Sequence, residues 1–246
     1  MNSTSWLHYY QQNRLNRPEP QWDLPLPEDS TALRHLARSL SHFQLGESGE
    51  GTFLLRQAQR THAGDPAYCE ALALFIQEEQ EHARLLQKLV ERHGGRLVTR
   101  HWTHSLFRSV RHALGVGFEI QVLVIAELIG TAYYRLIGRF TSDAVLKEVC
   151  EIVLRDEAQH IAFHAGRIET DQGGRLPLEQ ALWVAQFQML FLAAVQVAWM
   201  DHGAALRALG AQRREFCREA RSECIHFLAS FATAGARAGV PKLAGQ

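Results

Sequence analysis

The stretch Arg155-Asp156-Glu157-Ala158-Gln159-His160-Ile161-Ala162-Phe163-His164 decides the reading of this chain. Glu157 and His160 stand three residues apart, which on a helix puts both side chains on one face, a turn apart. Val149, Val153 and Ile161 continue that face with apolar side chains. A carboxylate and an imidazole aimed at an apolar interior are costly unless a charge meets them there. The spacing recurs upstream in Glu78-Glu79-Gln80-Glu81-His82, where Glu79 and His82 form the same pair. Two Glu-x-x-His pairs in one helical chain point to a dinuclear metal site.

At 246 residues the chain is long enough to bury a sizeable core. Lys+Arg and Asp+Glu balance at 26 each, so no net field argues for nucleic acid or anionic lipid. The 13 histidines are many, and most are expected at the surface. Cys69, Cys150, Cys217 and Cys224 form no C-x-x-C pair. With no recognisable leader, they read as reduced thiols of a cytoplasmic protein. Residues 181–200 carry no charge over a length that spans a bilayer. Gln186, Gln188 and Gln196 interrupt the run without a basic flank, so a buried or dimer-interface helix is expected and no membrane span. The expected homodimer places Trp183, Phe187, Phe191 or Trp199 near its contact.

No alternating strand pattern of useful length occurs, so the fold class is all-α. Residues 1–30 read as an arm, because Pro18, Pro20, Pro25 and Pro27 forbid a continuous helix, with Trp6, Tyr9, Tyr10 and Trp22 to pin it down. Asp29-Ser30 offers a cap for a first bundle helix over 31–62, whose stripe holds Leu36, Leu40, Phe43, Glu47 and Leu54. A second follows Pro66 to His93, and a third runs from about 108 to Phe140 with a possible break at Gly115-Val116-Gly117. Thr141-Ser142 caps the fourth, which ends before Gly173-Gly174. Two more helices are expected over 177–209 and 212–235. The division is an arm (1–30), a four-helix bundle (31–171) and two added C-terminal helices (172–246).

Levels along the helices test the metal reading. Glu47 lies 16 residues before the turn at Ala63, and Glu79 lies 13 after Pro66, a mismatch of about 4.5 Å at the helical rise. Glu127 and Glu157 lie 14 and 15 residues from their turn, a mismatch of about 1.5 Å. Residues 94–107, largely extended, reach roughly 45 Å and allow helices two and three to run parallel. Glu47, Glu79, Glu127 and Glu157 with His82 and His160 can therefore meet at one level. Four carboxylates also balance two divalent cations, and mixed oxygen and nitrogen donors suit iron or manganese.

On these residues the chain resembles the ferritin-like di-iron carboxylate proteins over roughly 31–171. Gly46-Glu47-Ser48 and Glu78-Glu79-Gln80-Glu81-His82-Ala83 look most like the rubrerythrin branch, without its rubredoxin part. The Asp156-Glu157-x-x-His160 form also occurs in ribonucleotide reductase small subunits and di-iron oxygenases. The resemblance implies a ferritin-like four-helix bundle holding two iron ions, or an iron–manganese pair. It implies an oxidoreductase that activates dioxygen or peroxide, uses an external electron donor, and acts on a small organic substrate. The alternative is iron binding or ferroxidase activity without organic turnover, although the arm and the last two helices match no ferritin cage subunit.

Several assignments stay open in the sequence. Glu50 rivals Glu47, which context and level favour. Glu119 lies off the face of Glu127 and reads as a surface or supporting residue. His164, on the face of Glu157, is an extra ligand, a supporting donor or a hydrogen-bonded pocket histidine. Asp156 can support the ring of His82 and Glu78 that of His160. Tyr133 and Tyr134 are packing residues unless one, Tyr134 the nearer in register, serves as radical site or proton donor.

Overall fold

The computed structural model describes residues 1–27, 30–101, 116–173 and 176–238. The cap residue Asp29, the connector beyond His101 and the start of the third bundle helix, with Gly115, lie outside these residues. Among the described residues every regular element is a helix: α1 (Ser3–Leu15), α2 (Ser30–Glu47), α3 (Thr52–Thr61), α4 (Pro66–Arg92), α5 (Val116–Phe140), α6 (Ala144–Gln172), α7 (Pro177–Ala208) and α8 (Arg213–Ala238). All four cysteines are free thiols.

The first difference from the expected layout is α1. No helix runs through the prolines, as expected, but one precedes them: Asn2 caps it by accepting from the Ser5 N–H, and the chain leaves it before Pro18. Trp6 and Tyr10 bury against Phe163, and α1 packs along α4. Residues 16–27 then follow α4, tied by Glu19 to Arg84 and Lys88 and by Arg92 to the carbonyls of Trp22 and Leu24. Of this segment, Trp22 and Leu24 pack against the core and most other residues stay exposed.

The second difference is a break in the expected 31–62 helix. It stops at Glu47 and resumes as α3 at Thr52. Gly51 turns the chain with φ +59, a left-handed conformation open to glycine, where a Cβ would stand 2.5 Å from Ile76 Cδ1. The interruption absorbs the three-residue surplus between Glu47 and its turn, and Glu47 comes level with Glu79.

Asp143, rather than Thr141-Ser142, caps α6 by accepting from the Val145 N–H. Asp143 also meets His93 Nε2 at 2.7 Å, joining the end of α4 to the start of α6. At the other end Arg167 lies near Asp65, so α4 and α6 run antiparallel. The pairs α2/α4 and α5/α6 pack closely, and α4 meets α6 between them. α8 covers α5, and α7 lies across α2 and α5. One continuous apolar core runs through all of these layers.

Among the described residues two helices are long and apolar enough to cross a membrane. The relevant window of α5 is 83% buried within the chain, whereas that of α7 is 22% buried. α5 is thus a core helix. α7 buries Phe187 and Phe191 but leaves Leu178, Leu182, Met189, Leu192 and Met200 exposed. Of the residues expected near a dimer contact, Phe187 and Phe191 are buried within the chain itself, and Trp183 and Trp199 are half-buried.

Candidate metal centre

Glu79 and His82 on α4 face Glu157 and His160 on α6, and one ligand atom from each lies within 4.8 Å of the others. This buried group can hold a metal ion. His160 Nδ1 stands 2.9 Å from Glu79 Oε1 and 3.7 Å from Glu157 Oε2. His82 Nδ1 stands 3.8 Å from Glu79 Oε1 and 3.7 Å from Glu157 Oε1. Each carboxylate therefore lies between both imidazoles, and the two oxygens of Glu157 face different histidines.

The donor atoms are poorly satisfied within the protein. Glu79 Oε1, His82 Nδ1, Glu157 Oε2 and His160 Nδ1 are buried without a well-directed hydrogen bond, although His160 Nδ1 and Glu79 Oε1 approach to 2.9 Å. One such atom is a defect in most interiors; four converging on one point form a socket for positive charge.

Glu47 and Glu127 complete the level. The carboxyl of Glu47 is within hydrogen-bonding reach of Glu79, and that of Glu127 within reach of Glu157. Glu47 is half-buried as a residue because α2 ends there, but its carboxyl group turns inward. Its place at a helix C-terminus puts a carboxylate beside the negative end of the dipole, a further demand for a cation. Burial, then repulsion from Glu79, pushes its pKa well up. Burial and repulsion from Glu157 do the same to Glu127, and burial raises Glu157. The pKa of His160 also rises, because attraction to Glu79 and Glu157 outweighs its desolvation. Without a cation, burial and mutual repulsion favour the protonated forms of Glu47 and Glu127.

Behind the histidines stands a second layer. His82 Nε2 faces Asp156 Oδ2 at 3.3 Å, and His160 Nε2 faces Glu78 Oε2 at 2.9 Å. An Nε2–H donating to these carboxylates leaves Nδ1 as the lone-pair nitrogen facing the socket. Asp156 and Glu78 are both essentially inaccessible to solvent. Asn13 Nδ2 donates to Glu78 Oε1 at 2.6 Å, and Arg17 reaches the same oxygen at 2.8 Å. Arg17 also lies 3.8 Å from Asp156, whose other side accepts from Arg155. Tyr10 adds a buried phenol without a hydrogen-bond partner, its ring 6.3 Å from that of His160.

The sequence named Tyr10 only as an anchor of the arm, and its patterning missed Asn13 in α1 and Arg17 just after it, because polar and apolar residues do not segregate along this stretch. The Asn2-Ser-Thr-Ser start was the one available sign of a helix there. Glu50 is exposed and away from the cluster. Glu119, read as a surface or supporting residue, is fully buried. His164 is not brought into the group: it is buried against Phe75 and Phe163 with neither ring nitrogen bonded, and burial pushes its pKa down to about 3. Tyr133 turns away, its hydroxyl 2.5 Å from Ser39 Oγ. The buried hydroxyl of Tyr134 has no partner, and the charges of Glu47 and Glu157 help raise its pKa. Of the described histidines, His82, His93, His160, His164 and His202 are buried, whereas His8, His35 and His226 are exposed and His42, His62 and His101 half-buried.

A cleft of about 410 Å³ is lined by Leu128, Ala158 and Ile161 together with Phe227 and Phe231 of α8. Leu128, Ala158 and Ile161 each follow a cluster residue in sequence, a rotation of about 100° around the helix. The cleft thus flanks the cluster and is not lined by its donor residues. Comparison with known proteins gives no match: no family model, curated protein or solved structure is similar to this chain.

Proposed function

We propose that α2, α4, α5 and α6 form a ferritin-like bundle around a dinuclear centre of two iron ions, or an iron–manganese pair. Glu47, Glu79, His82, Glu127, Glu157 and His160 are its proposed ligands. The observation that carries this reading is the division of Glu157, whose two oxygens face His82 and His160 separately. A carboxylate placed between two nitrogen donors in this way suits a bridge between two ions. The donor set also fits in kind: two imidazoles and four carboxylates, with no thiolate, suit iron and manganese.

The proposed activity is oxidoreductase chemistry on dioxygen or peroxide, with electrons from an external donor. Bound iron would supply the redox change. The protein's own residues do the rest. Glu78 and Asp156 hold the imidazoles, while α1 closes the socket from outside. Tyr10 and Tyr134 place phenolic hydroxyls near its wall as proton donors. Glu79 keeps 16% side-chain exposure, a narrow approach suited to a small oxidant. An organic substrate remains part of the proposal through the neighbouring cleft, although none of the proposed ligands lines it.

The test is turnover. The iron-loaded protein, supplied with a chemical reductant and peroxide or dioxygen, should consume oxidant over many cycles and keep its metal. Glu157→Ala or His160→Ala should abolish this. Stoichiometric oxidation of added iron, growing into a core of many ions per chain, would replace the enzyme reading with iron handling.

A further inference from the structure

A second group of donors shares no residue with the carboxylate cluster. His42 on α2, His101 in the connector after α4 and Asp201 on α7 each bring one ligand atom within 4.8 Å of the other two. His101 Nδ1 lies 3.6 Å from Asp201 Oδ2, longer than a hydrogen bond. The imidazoles of His42 and His101 are stacked with centroids 3.9 Å apart. His42 Nδ1 is buried with no hydrogen-bond partner. A histidine pair stacked beside a carboxylate, held by three separate segments, has a natural occupant in a divalent cation.

We propose that His42, His101 and Asp201 bind one Zn²⁺ ion, with water in the fourth position. Two imidazoles and one carboxylate form the three-ligand set that zinc accepts when one position stays open. Calcium and magnesium prefer oxygen donors throughout, and no thiolate is present to select a softer ion. The distances are compatible. Around tetrahedral zinc, with bonds of about 2.0–2.2 Å, neighbouring donors stand about 3.4 Å apart, close to the His101–Asp201 separation. The same geometry puts two ligating imidazole centroids about 5 Å apart, so the stacked rings open by roughly an ångström on binding. The side chains of His101 and Asp201 keep 17% and 10% exposure, which gives the ion a way in and water a place on it.

The site also has a supporting layer. His202, next to Asp201, sets its ring 6.1 Å from that of His42, and its Nδ1 lies 2.8 Å from Ser39 Oγ. Ser39 in turn meets Tyr133. Bound zinc would tie α2, α7 and the connector together over this buried polar thread.

The experiment uses the full chain with its buried centre first loaded with iron, then titrated with Zn²⁺, and in parallel with Co²⁺ as an optical probe. The wild type should take up one further zinc per chain and show tetrahedral Co²⁺ bands. His101→Ala and Asp201→Asn, both near the surface, should each weaken that uptake by more than about tenfold. Glu157→Ala should retain it. Failure of the wild type to bind zinc beyond the buried centre overturns the proposal. So does uptake unchanged in both surface variants, or lost only in Glu157→Ala. If the buried centre takes no metal at all, a single zinc sensitive to His101→Ala still supports this site.

Discussion

Glu78 of α4 lies 2.9 Å behind the imidazole of His160 on α6, while Asp156 of α6 lies 3.3 Å behind His82 on α4. Each helix thus carries a histidine and the carboxylate that orients the histidine of its neighbour. The exchange locks α4 and α6 in register and fixes both imidazoles with Nδ1 inward. A one-residue slip would misplace every donor.

From this exchange follows a role for α1. Asn13 and Arg17 touch none of the proposed ligands, yet they hold Glu78 and Asp156 from outside. Asn13→Ala and Arg17→Ala should lower metal affinity by about 10-fold to 100-fold, the usual cost of losing a supporting contact. Chelator competition on the folded variants measures this. Affinity equal to wild type in both would reduce α1 to packing.

In the metal-free protein the carboxylate cluster should make an inverted contribution to the pH dependence. The pKa values of Glu47, Glu127 and Glu157 are raised above the ordinary 4.5 by burial, with mutual repulsion adding to it for Glu47 and Glu127. Such carboxyls destabilise the fold as pH rises from 4.5 toward their folded values, because the unfolded chain ionises first. His160, raised above 6.5, contributes stability that is complete below 6.5 and lost as pH rises through its folded value. Both effects run the same way. The cluster's share of the metal-free melting temperature, read as wild type minus Glu127→Gln/Glu157→Gln, should fall by several degrees between pH 5 and pH 8, at roughly 2–4 °C per kcal/mol for this size. Taking the difference removes the buried His42, His164 and His202, whose lowered pKa values act in the opposite sense. Metal should therefore stabilise most at the higher pH, where the ligands are free of protons. A difference that shifts in favour of wild type over this range would contradict the electrostatics.

The exposed face of α7 carries a prediction about assembly. Leu178, Leu182, Ala185, Met189, Leu192, Gln196 and Met200 form an exposed seam at a spacing of three and four residues, about 33 Å long. We propose that a second copy covers it, giving a homodimer in the cytoplasm. Wild type should sediment as a dimer at tens of micromolar, and Leu182→Glu/Leu192→Glu as a folded monomer. A monomeric wild type that instead floats with lipid vesicles would reassign the face to a membrane surface.

How legible this was depends on how local each signal is. Glu79/His82 and Glu157/His160 could be read because three-residue spacing on a helix fixes a shared face. Their supporting carboxylates, one residue earlier, could be read for the same reason. Glu47 was harder: its level is set by a non-helical interruption at 48–51, which a continuous stripe through Leu54 concealed. α1 was hidden by the prolines that follow it, since Tyr10, Asn13 and Arg17 gain their roles only on docking against α4 and α6. His42, His101 and Asp201 come from segments with no common period, so no spacing rule brings them together.

The central claim is two ions between the two Glu-x-x-His pairs, and metal stoichiometry tests it most directly. Protein loaded anaerobically with iron and freed of loosely bound metal should hold about two ions per chain by elemental analysis. Glu79→Ala/Glu157→Ala, checked for helicity, should hold none at that centre and should lose the metal-dependent rise in melting temperature. Folded wild type that binds no iron, or a double variant that binds as much as wild type, would contradict the account.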